Sequence, residues 1–158
     1  LYLSYNPISK WPAIPVMKKM TSITILHLGG CQLKKIPDAV YALPNLKDLC
    51  LSNNLLDVVP DEIGQLANLQ GLRMTANIIT NVCDGIKDLA KLQELDLSHN
   101  NLVDLPAVFC TLTTLTDLDL SGNGIQYLPQ EFDKLIRIRH LKIAFNHLRK
   151  VPKFDQEE

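Results

Sequence analysis

The chain has 158 residues, of which 46% are apolar, so it is long enough to form one domain with a substantial core. Its 16 basic and 17 acidic residues give a formal net charge of −1, which argues against general binding to nucleic acid or anionic membranes, because both need a basic face. No apolar run approaches the roughly 18 residues that a membrane-spanning helix needs.

A pattern with a period of 23 residues runs along the chain, and it is clearest in LQELDLSHNNLVDLP, residues 92–106. The equivalents of its first leucine, defined here as position 1, are Ile23, Leu46, Leu69, Leu92, Leu115 and Ile138. Position 9 is occupied by Cys31, Asn54, Asn77, Asn100, Asn123 and Asn146. A partial repeat with Asn6 at position 9 precedes these six, so the sequence predicts seven repeats.

The first half of each repeat predicts a short strand. In residues 92–98, apolar positions 4 and 6 alternate with polar positions 3, 5 and 7, which is the two-residue period of a strand with one buried face. Such a strand is too short to be stable alone, but stacked repeats bury their leucines against one another. The asparagine at position 9 follows the strand, where its amide can bond to the backbone of neighbouring turns.

The second half of each repeat predicts a short helix or 3₁₀ turn on the opposite side. In residues 60–69, Ile63, Leu66 and Leu69 have helical spacing, and Pro60 suits a first helical position. Cys83 replaces the recurrent proline, so we expect an irregular turn in that repeat. We expect a similar bulge at residues 11–19, where two residues are inserted.

This pattern resembles the leucine-rich repeat, in the 23-residue intracellular type found in Scribble, Erbin, Ras suppressor protein and the plant Ras-group repeat proteins. The resemblance covers residues 1–152. It implies an α/β solenoid of seven repeats, with a parallel sheet on the concave side and short helices or 3₁₀ turns on the convex side. It also implies that the chain holds other proteins, although the fold specifies no single activity.

We expect residues 1–158 to form a single leucine-rich repeat domain that is a fragment of a longer protein, because neither end resembles a polar capping repeat. The four cysteines form no CxxC pair, and the chain begins with no secretory leader. The cysteines are interpreted as reduced thiols in a cytoplasmic or other intracellular protein. No cofactor and no metal site are predicted.

The candidate site lies on the concave face, at positions 3 and 5 of neighbouring strands. Adjacent strands are about 4.8 Å apart, so the carboxylates at these positions should form a compact group, called the acidic square below. It consists of Glu94, Asp96, Asp117 and Asp119. Each neighbouring pair repels by about 0.7 kcal/mol at roughly 6 Å in water. A basic segment or an arginine of a protein partner would offset this repulsion.

Two alternatives explain the acidic square differently. Basic side chains of adjacent repeats could neutralise it internally: Arg73 with Asp96, His140 with Asp117, and Lys142 with Asp119. The charges would then form a solvated ladder of little energetic value. A metal ion fits less well, because flat strands cannot wrap carboxylates around a cation.

Position 8 adds His99 and Phe145 to the candidate residues. Phe145 lies next to the basic strand that contains His140 and Lys142, and an exposed aromatic ring beside cations is a plausible contact for a partner. The alternative is that Phe145 folds over the open end of the last repeat.

His27 and Cys50 are neighbours at position 5, with Asp48 close by, and this combination resembles a Cys/His nucleophile pair. A nearly flat sheet offers no oxyanion donors, no substrate cleft and no exclusion of water, so no enzyme activity is predicted.

The sequence therefore predicts a non-catalytic protein-interaction module or scaffold that presents a preorganised concave sheet to a protein partner. Two alternatives remain open at this point. The chain could be a regulatory arm of an enzyme such as a phosphatase or adenylate cyclase, or a structural subunit of a large assembly such as a ciliary or ribosomal one. The sequence makes no prediction of oligomeric state.

Overall fold

The computed structural model describes residues 1–151, and its repeats stack around a six-stranded parallel sheet. The strands in chain order are β1 Ile25–His27, β2 Asp48–Cys50, β3 Val58–Val59, β4 Gly71–Arg73, β5 Asn81–Val82, β6 Glu94–Asp96, β7 Asp117–Asp119 and β8 His140–Lys142. The large sheet has the order β1-β2-β4-β6-β7-β8, while β3 and β5 form a second small parallel sheet. Paired residues differ by 23 in number, as in Leu72 with Leu95, which is the spacing of the repeat.

The start of the chain adds one more rung to the large sheet. Tyr2 forms a parallel bridge with His27, and the Leu3 amide donates to the His27 carbonyl at 2.8 Å. Together with the six strands, this rung gives the predicted seven repeats within residues 1–151.

The core lies between the large sheet and the convex turns, and it is built from the apolar positions of the repeat. Leu92, Leu95 and Leu97 are at most 2% exposed, and their equivalents in neighbouring repeats, such as Leu72 and Leu118, are equally buried. Full burial of a leucine side chain contributes about 1.5–3 kcal/mol. The solenoid is therefore stabilised by contacts that each repeat makes with its neighbours.

The asparagine at position 9 links three segments through buried hydrogen bonds. Asn100 Nδ2 donates to the carbonyls of Met74 and Leu97, each at 3.0 Å, and Asn100 Oδ1 accepts from the Ile79 amide at 3.0 Å. Equivalent contacts recur at Asn54, Asn77 and Asn123. The asparagine column therefore satisfies backbone groups that the turns would otherwise leave buried and unpaired.

The convex side carries short helical turns, as predicted. Within the described residues, the α-helices are α1 Ile14–Met17 and α2 Asp38–Tyr41. The 3₁₀ helices there lie at Asp61–Gln65, Asp84–Asp88, Ala107–Thr111 and Phe132–Lys134.

The turn at Cys83, which the sequence predicts to be irregular, is regular, so that expectation is wrong. Cys83 has φ −78° and ψ 165°, nearly the conformation of Pro60 at φ −81° and ψ 164°, and a 3₁₀ helix follows each residue. The Cys83 amide also donates to the Val59 carbonyl at 2.9 Å, a bond that proline cannot make. Near the start of the chain, α1 has four residues, as α2 has, so the two inserted residues lie outside the helix and the bulge expected at residues 11–19 stays a prediction.

Position 8 adopts a left-handed backbone conformation in all seven repeats, with φ between 52° and 68°. The residues concerned are Tyr5, Gly30, Asn53, Ala76, His99, Gly122 and Phe145. This conformation costs a residue with a side chain about 1–2 kcal/mol, so it imposes local strain wherever position 8 is not glycine.

Pro152, the last of the recurrent prolines, lies outside the described residues, as do residues 153–158. In residues 1–151, no helix combines the length and the apolar character required to cross a membrane.

Candidate partner-binding surface

Seven of the nine candidate residues line one shallow cavity of about 300 Å³ on the large sheet. They are Arg73, Glu94, Asp96, Asp117, Asp119, His140 and Lys142. The strands β6 and β7 are neighbours, and their register pairs Glu94 with Asp117 and Asp96 with Asp119. The structure therefore brings the four carboxylates of the acidic square together on adjacent strands.

Two carboxylates of the acidic square are held by serines that follow them in the chain. Asp96 Oδ1 accepts from the Ser98 amide at 2.9 Å and from Ser98 Oγ at 2.6 Å. Asp119 Oδ1 accepts from the Ser121 amide at 3.0 Å. Within the described part of the chain, Asp96 Oδ2 has no hydrogen-bond or ion-pair partner. One oxygen of the Asp96 carboxylate is therefore held in place by Ser98, and the other is open to a partner.

Arg73 does not pair with Asp96, and this part of the internal alternative is wrong. Its Nη2 lies 2.7 Å from Asp48 Oδ1, and its Nη1 lies 3.8 Å from Glu94 Oε2. Gly71 lies between the two carboxylates, and a Cβ built there would lie 3.2 Å from Asp48 Oδ2 and 4.0 Å from Glu94 Oε2. The guanidinium reaches two position-3 carboxylates that flank a residue without a side chain.

The other two internal pairs form as predicted. His140 Nδ1 lies 2.6 Å from Asp117 Oδ1, and Lys142 Nζ lies 3.6 Å from Asp119 Oδ2. Thr116 Oγ1 donates to Asp117 Oδ2 at 2.7 Å. The hydrogen bonds from Thr116 and His140 hold the pKa of Asp117 below its ordinary value. The basic side chains of both pairs are mostly exposed, so each pair contributes only about 0–1 kcal/mol.

The remaining candidates, His99 and Phe145, lie outside this cavity. The His99 ring packs against Gly122, where a Cβ would lie 2.6 Å from His99 Nδ1. Phe145 is 86% exposed, so it does not fold over the last repeat, and that alternative is wrong. The Phe145 ring is accessible at the end of β8, but it does not contribute to the acidic square.

His27 and Cys50 are not arranged as a base and a nucleophile. His27 Nε2 lies 3.6 Å from Asp48 Oδ1, and the ring packs edge-on against Tyr2 with a centroid distance of 4.5 Å. The Cys50 thiol is directed instead at Ser52 Oγ, at 3.7 Å. Among residues 1–151, no group of three or more His, Cys, Asp or Glu side chains is placed to hold a metal ion.

Sequence reasoning missed the residues that orient the site. Asp48 lies diagonally across the sheet from Arg73, at position 3 of the preceding strand, and not at the equal position that the predicted pairs assume. Ser98 and Ser121 each follow an aspartate by two residues, and this spacing is a known signal for a local side-chain-to-backbone hydrogen bond. The serine spacing is therefore visible in the sequence, whereas the diagonal reach of Arg73 to Asp48 is not.

The model of the leucine-rich repeat family matches residues 21–79, 72–125 and 90–148. Comparison with curated protein sequences gave no match. Proteins with these repeats are generally interaction modules and are typically not enzymes.

Two solved structures show the same fold. A leucine-rich repeat protein of Leptospira interrogans is 29% identical, with a TM-score of 0.82, over 96% of this chain and 44% of that one. An internalin of Listeria monocytogenes is 25% identical, with a TM-score of 0.73, over 95% of this chain and 43% of that one. The chain therefore spans less than half the length of either protein. Taken with the stacked strands and the asparagine column, these matches show that the chain belongs to the leucine-rich repeat family.

Proposed function

We propose that the chain is a non-catalytic protein-interaction module that receives a basic segment of a protein partner on the acidic square. The observation that carries this proposal is the carboxylate of Asp96. It is held by Ser98 through Oδ1, while Oδ2 has no partner in the described residues. A lysine or arginine of the partner would supply the missing cation and relieve the repulsion within the acidic square.

The surrounding charges favour a partner with a localised cation. Four carboxylates line the cavity, against two permanent cations and one histidine. Arg73 is engaged by Asp48 and Glu94, so it does not neutralise Asp96. Because the strands already hold the carboxylates in place, docking loses little conformational entropy. The free energy of binding should therefore come largely from the charge-assisted hydrogen bonds that the partner adds.

We further propose that the module acts in a scaffold or signalling protein of the cytoplasm or another intracellular compartment. The support is chemical, since Cys31, Cys50, Cys83 and Cys110 are all free thiols in the structure.

The test uses a fluorescein-labelled peptide of alternating arginine and glycine, and its binding is measured by fluorescence anisotropy. Asp96→Lys/Asp119→Lys should weaken binding at least about tenfold, because it converts the attraction into repulsion. Asp57→Lys/Asp104→Lys is the matched control, since it makes the same charge change at exposed positions outside the acidic square. Circular dichroism checks that both variants fold. Unchanged binding by a folded Asp96→Lys/Asp119→Lys variant would overturn the proposal.

A further inference from the structure

A larger groove, of about 920 Å³, runs along the edge of the sheet at which the chain enters the strands. Its lining includes the position-2 side chains Gln70, Gln93, Thr116 and Arg139. The turns that precede two of these strands add Lys91, Ile136 and Arg137. We call this surface the basic edge groove. None of the residues in the acidic square lines it.

The lining of the basic edge groove carries more positive than negative charge, although the carboxylate of Asp117 is close enough to interact with Arg139. Of its lining residues within the described part, three are permanent cations and none is a carboxylate. Arg137 and Arg139 are exposed, and neither forms an ion pair within residues 1–151. Lys91 Nζ donates to Asn68 Oδ1 at 2.8 Å, and that neutral amide leaves the lysine charge in place. Such a surface attracts an anionic ligand.

The neighbouring charges favour a short anion over a long polyanion. Gln93 and Thr116 are followed directly in the chain by Glu94 and Asp117 of the acidic square. A nucleic acid carries evenly spaced phosphates, so some of its charges would lie over these carboxylates. A short acidic peptide carries only a few carboxylates, so it can pair with the cations of the groove without extending over Glu94 and Asp117. This difference argues for a peptide ligand.

The uncharged residues of the groove also suit a peptide. Ile136 is 81% exposed and lies beside Arg137, so it offers an apolar contact next to a cation. The side-chain amides of Gln70 and Gln93 are exposed at successive repeats, and each can both donate to and accept from a peptide backbone.

We propose that the basic edge groove binds an acidic peptide segment of a protein partner, with Arg137 and Arg139 pairing its carboxylates and Ile136 contacting an apolar side chain between them. The two surfaces share no lining residue, although Thr116 of the groove donates to Asp117 of the acidic square at 2.7 Å.

The experiment uses a fluorescein-labelled peptide of alternating glutamate and leucine, with anisotropy measured against increasing concentrations of the protein. Binding should saturate and should weaken as salt is added. Arg137→Glu/Arg139→Glu should weaken it at least about tenfold, because the cations are replaced by like charges. Lys18→Glu/Lys19→Glu, which makes the same charge change at exposed residues near the start of the chain, should stay within about twofold of the unaltered protein.

Three further measurements separate the possible outcomes. Asp96→Lys/Asp119→Lys should retain binding of the acidic peptide, so that a failure of the acidic square is distinguishable from a failure of the groove. A peptide of alternating glutamine and leucine should bind much less than the acidic one. The proposal is overturned if the glutamine peptide binds equally well, if a single-stranded oligothymidylate of equal charge binds more tightly, or if a folded Arg137→Glu/Arg139→Glu variant retains full binding.

Discussion

Arg73 Nη2 lies 2.7 Å from Asp48 Oδ1, so this arginine is directed toward the preceding repeat and away from Asp96. Its second contact, with Glu94 Oε2 at 3.8 Å, crosses to the following repeat over Gly71. The guanidinium therefore links β4 to position-3 carboxylates on β2 and β6. Asp96 and Asp119, at position 5, lie two residues further along their strands than those carboxylates and are not paired with Arg73.

Replacing Arg73 by glutamine should strengthen binding of the arginine-glycine peptide. The change removes a cation beside the acidic square and leaves Asp48 and Glu94 unneutralised. We expect affinity to rise about two- to tenfold at low salt. The free energy of unfolding should fall by no more than about 1 kcal/mol, because the ion pairs are partly exposed.

Lys34→Gln removes one exposed positive charge outside this surface and is the matched control for Arg73→Gln. Anisotropy titrations at two salt concentrations make the comparison. Weaker binding by Arg73→Gln would mean that the guanidinium contacts the partner directly, contrary to this prediction.

Asp117 should show the pH dependence of a carboxylate with a lowered pKa. In the folded chain, hydrogen bonds from Thr116 and His140 lower that pKa from its ordinary value of 3.8. A lowered folded pKa means that the stabilising contribution is present above pH 3.8 and is lost as the pH falls through the folded value. Thr116→Val and His140→Gln should each raise the pKa of Asp117, because each removes a contact that lowers it.

Carbon-13 NMR titration of the Asp117 carboxyl group measures these shifts in pKa directly. Asp104→Asn changes an exposed residue away from this contact, so it should not change the pKa of Asp117. An unchanged pKa of Asp117 in both Thr116→Val and His140→Gln would show that the two hydrogen bonds do not control it.

The fold was predictable because a 23-residue period and a two-residue alternation place each strand and its buried face without reference to any distant contact. The pairing of Arg73 with Asp48 was not predictable, since it depends on how far a long side chain reaches past Gly71. The left-handed backbone at position 8 was not predicted either, because residue types such as Ala76 and Phe145 do not indicate a positive φ. Stacking of the repeats imposes that conformation, and local preference does not.

Asn100→Ala should lower the free energy of unfolding by at least about 2 kcal/mol, because it leaves several buried backbone groups without partners. The groups that lose a bond are the carbonyls of Met74 and Leu97 and the amide of Ile79. Asn6→Ala is the matched control, since Asn6 occupies the same position but bonds to carbonyls at the exposed start of the chain. Denaturant unfolding should show a clearly smaller loss for Asn6→Ala, and equal losses would contradict the prediction.

Cys83→Pro restores the recurrent residue of the repeat, but it should destabilise the fold. The backbone at Cys83 already suits proline, with φ −78°. However, its amide donates to the Val59 carbonyl at 2.9 Å, and the proline ring would replace that hydrogen with a carbon. Cys83→Ala keeps the amide, so Cys83→Pro should be less stable than Cys83→Ala by about 1 kcal/mol. A more stable Cys83→Pro variant would mean that this hydrogen bond contributes little.

Ala76 and Gly122 should respond in opposite ways to exchange between alanine and glycine, because both lie at position 8 with φ of 54° and 68°. Ala76→Gly relieves about 1–2 kcal/mol of left-handed strain and costs about 0.5–1 kcal/mol of backbone entropy, so it should be slightly stabilising. Gly122→Ala adds that strain and brings a Cβ to 2.6 Å from His99 Nδ1, so it should be clearly destabilising. In the double variant His99→Ala/Gly122→Ala, the steric part of the loss should disappear while the backbone part remains. Denaturant unfolding of the three variants separates the two contributions, and full recovery in the double variant would show that contact with the ring, and not the backbone conformation, selects glycine at this position.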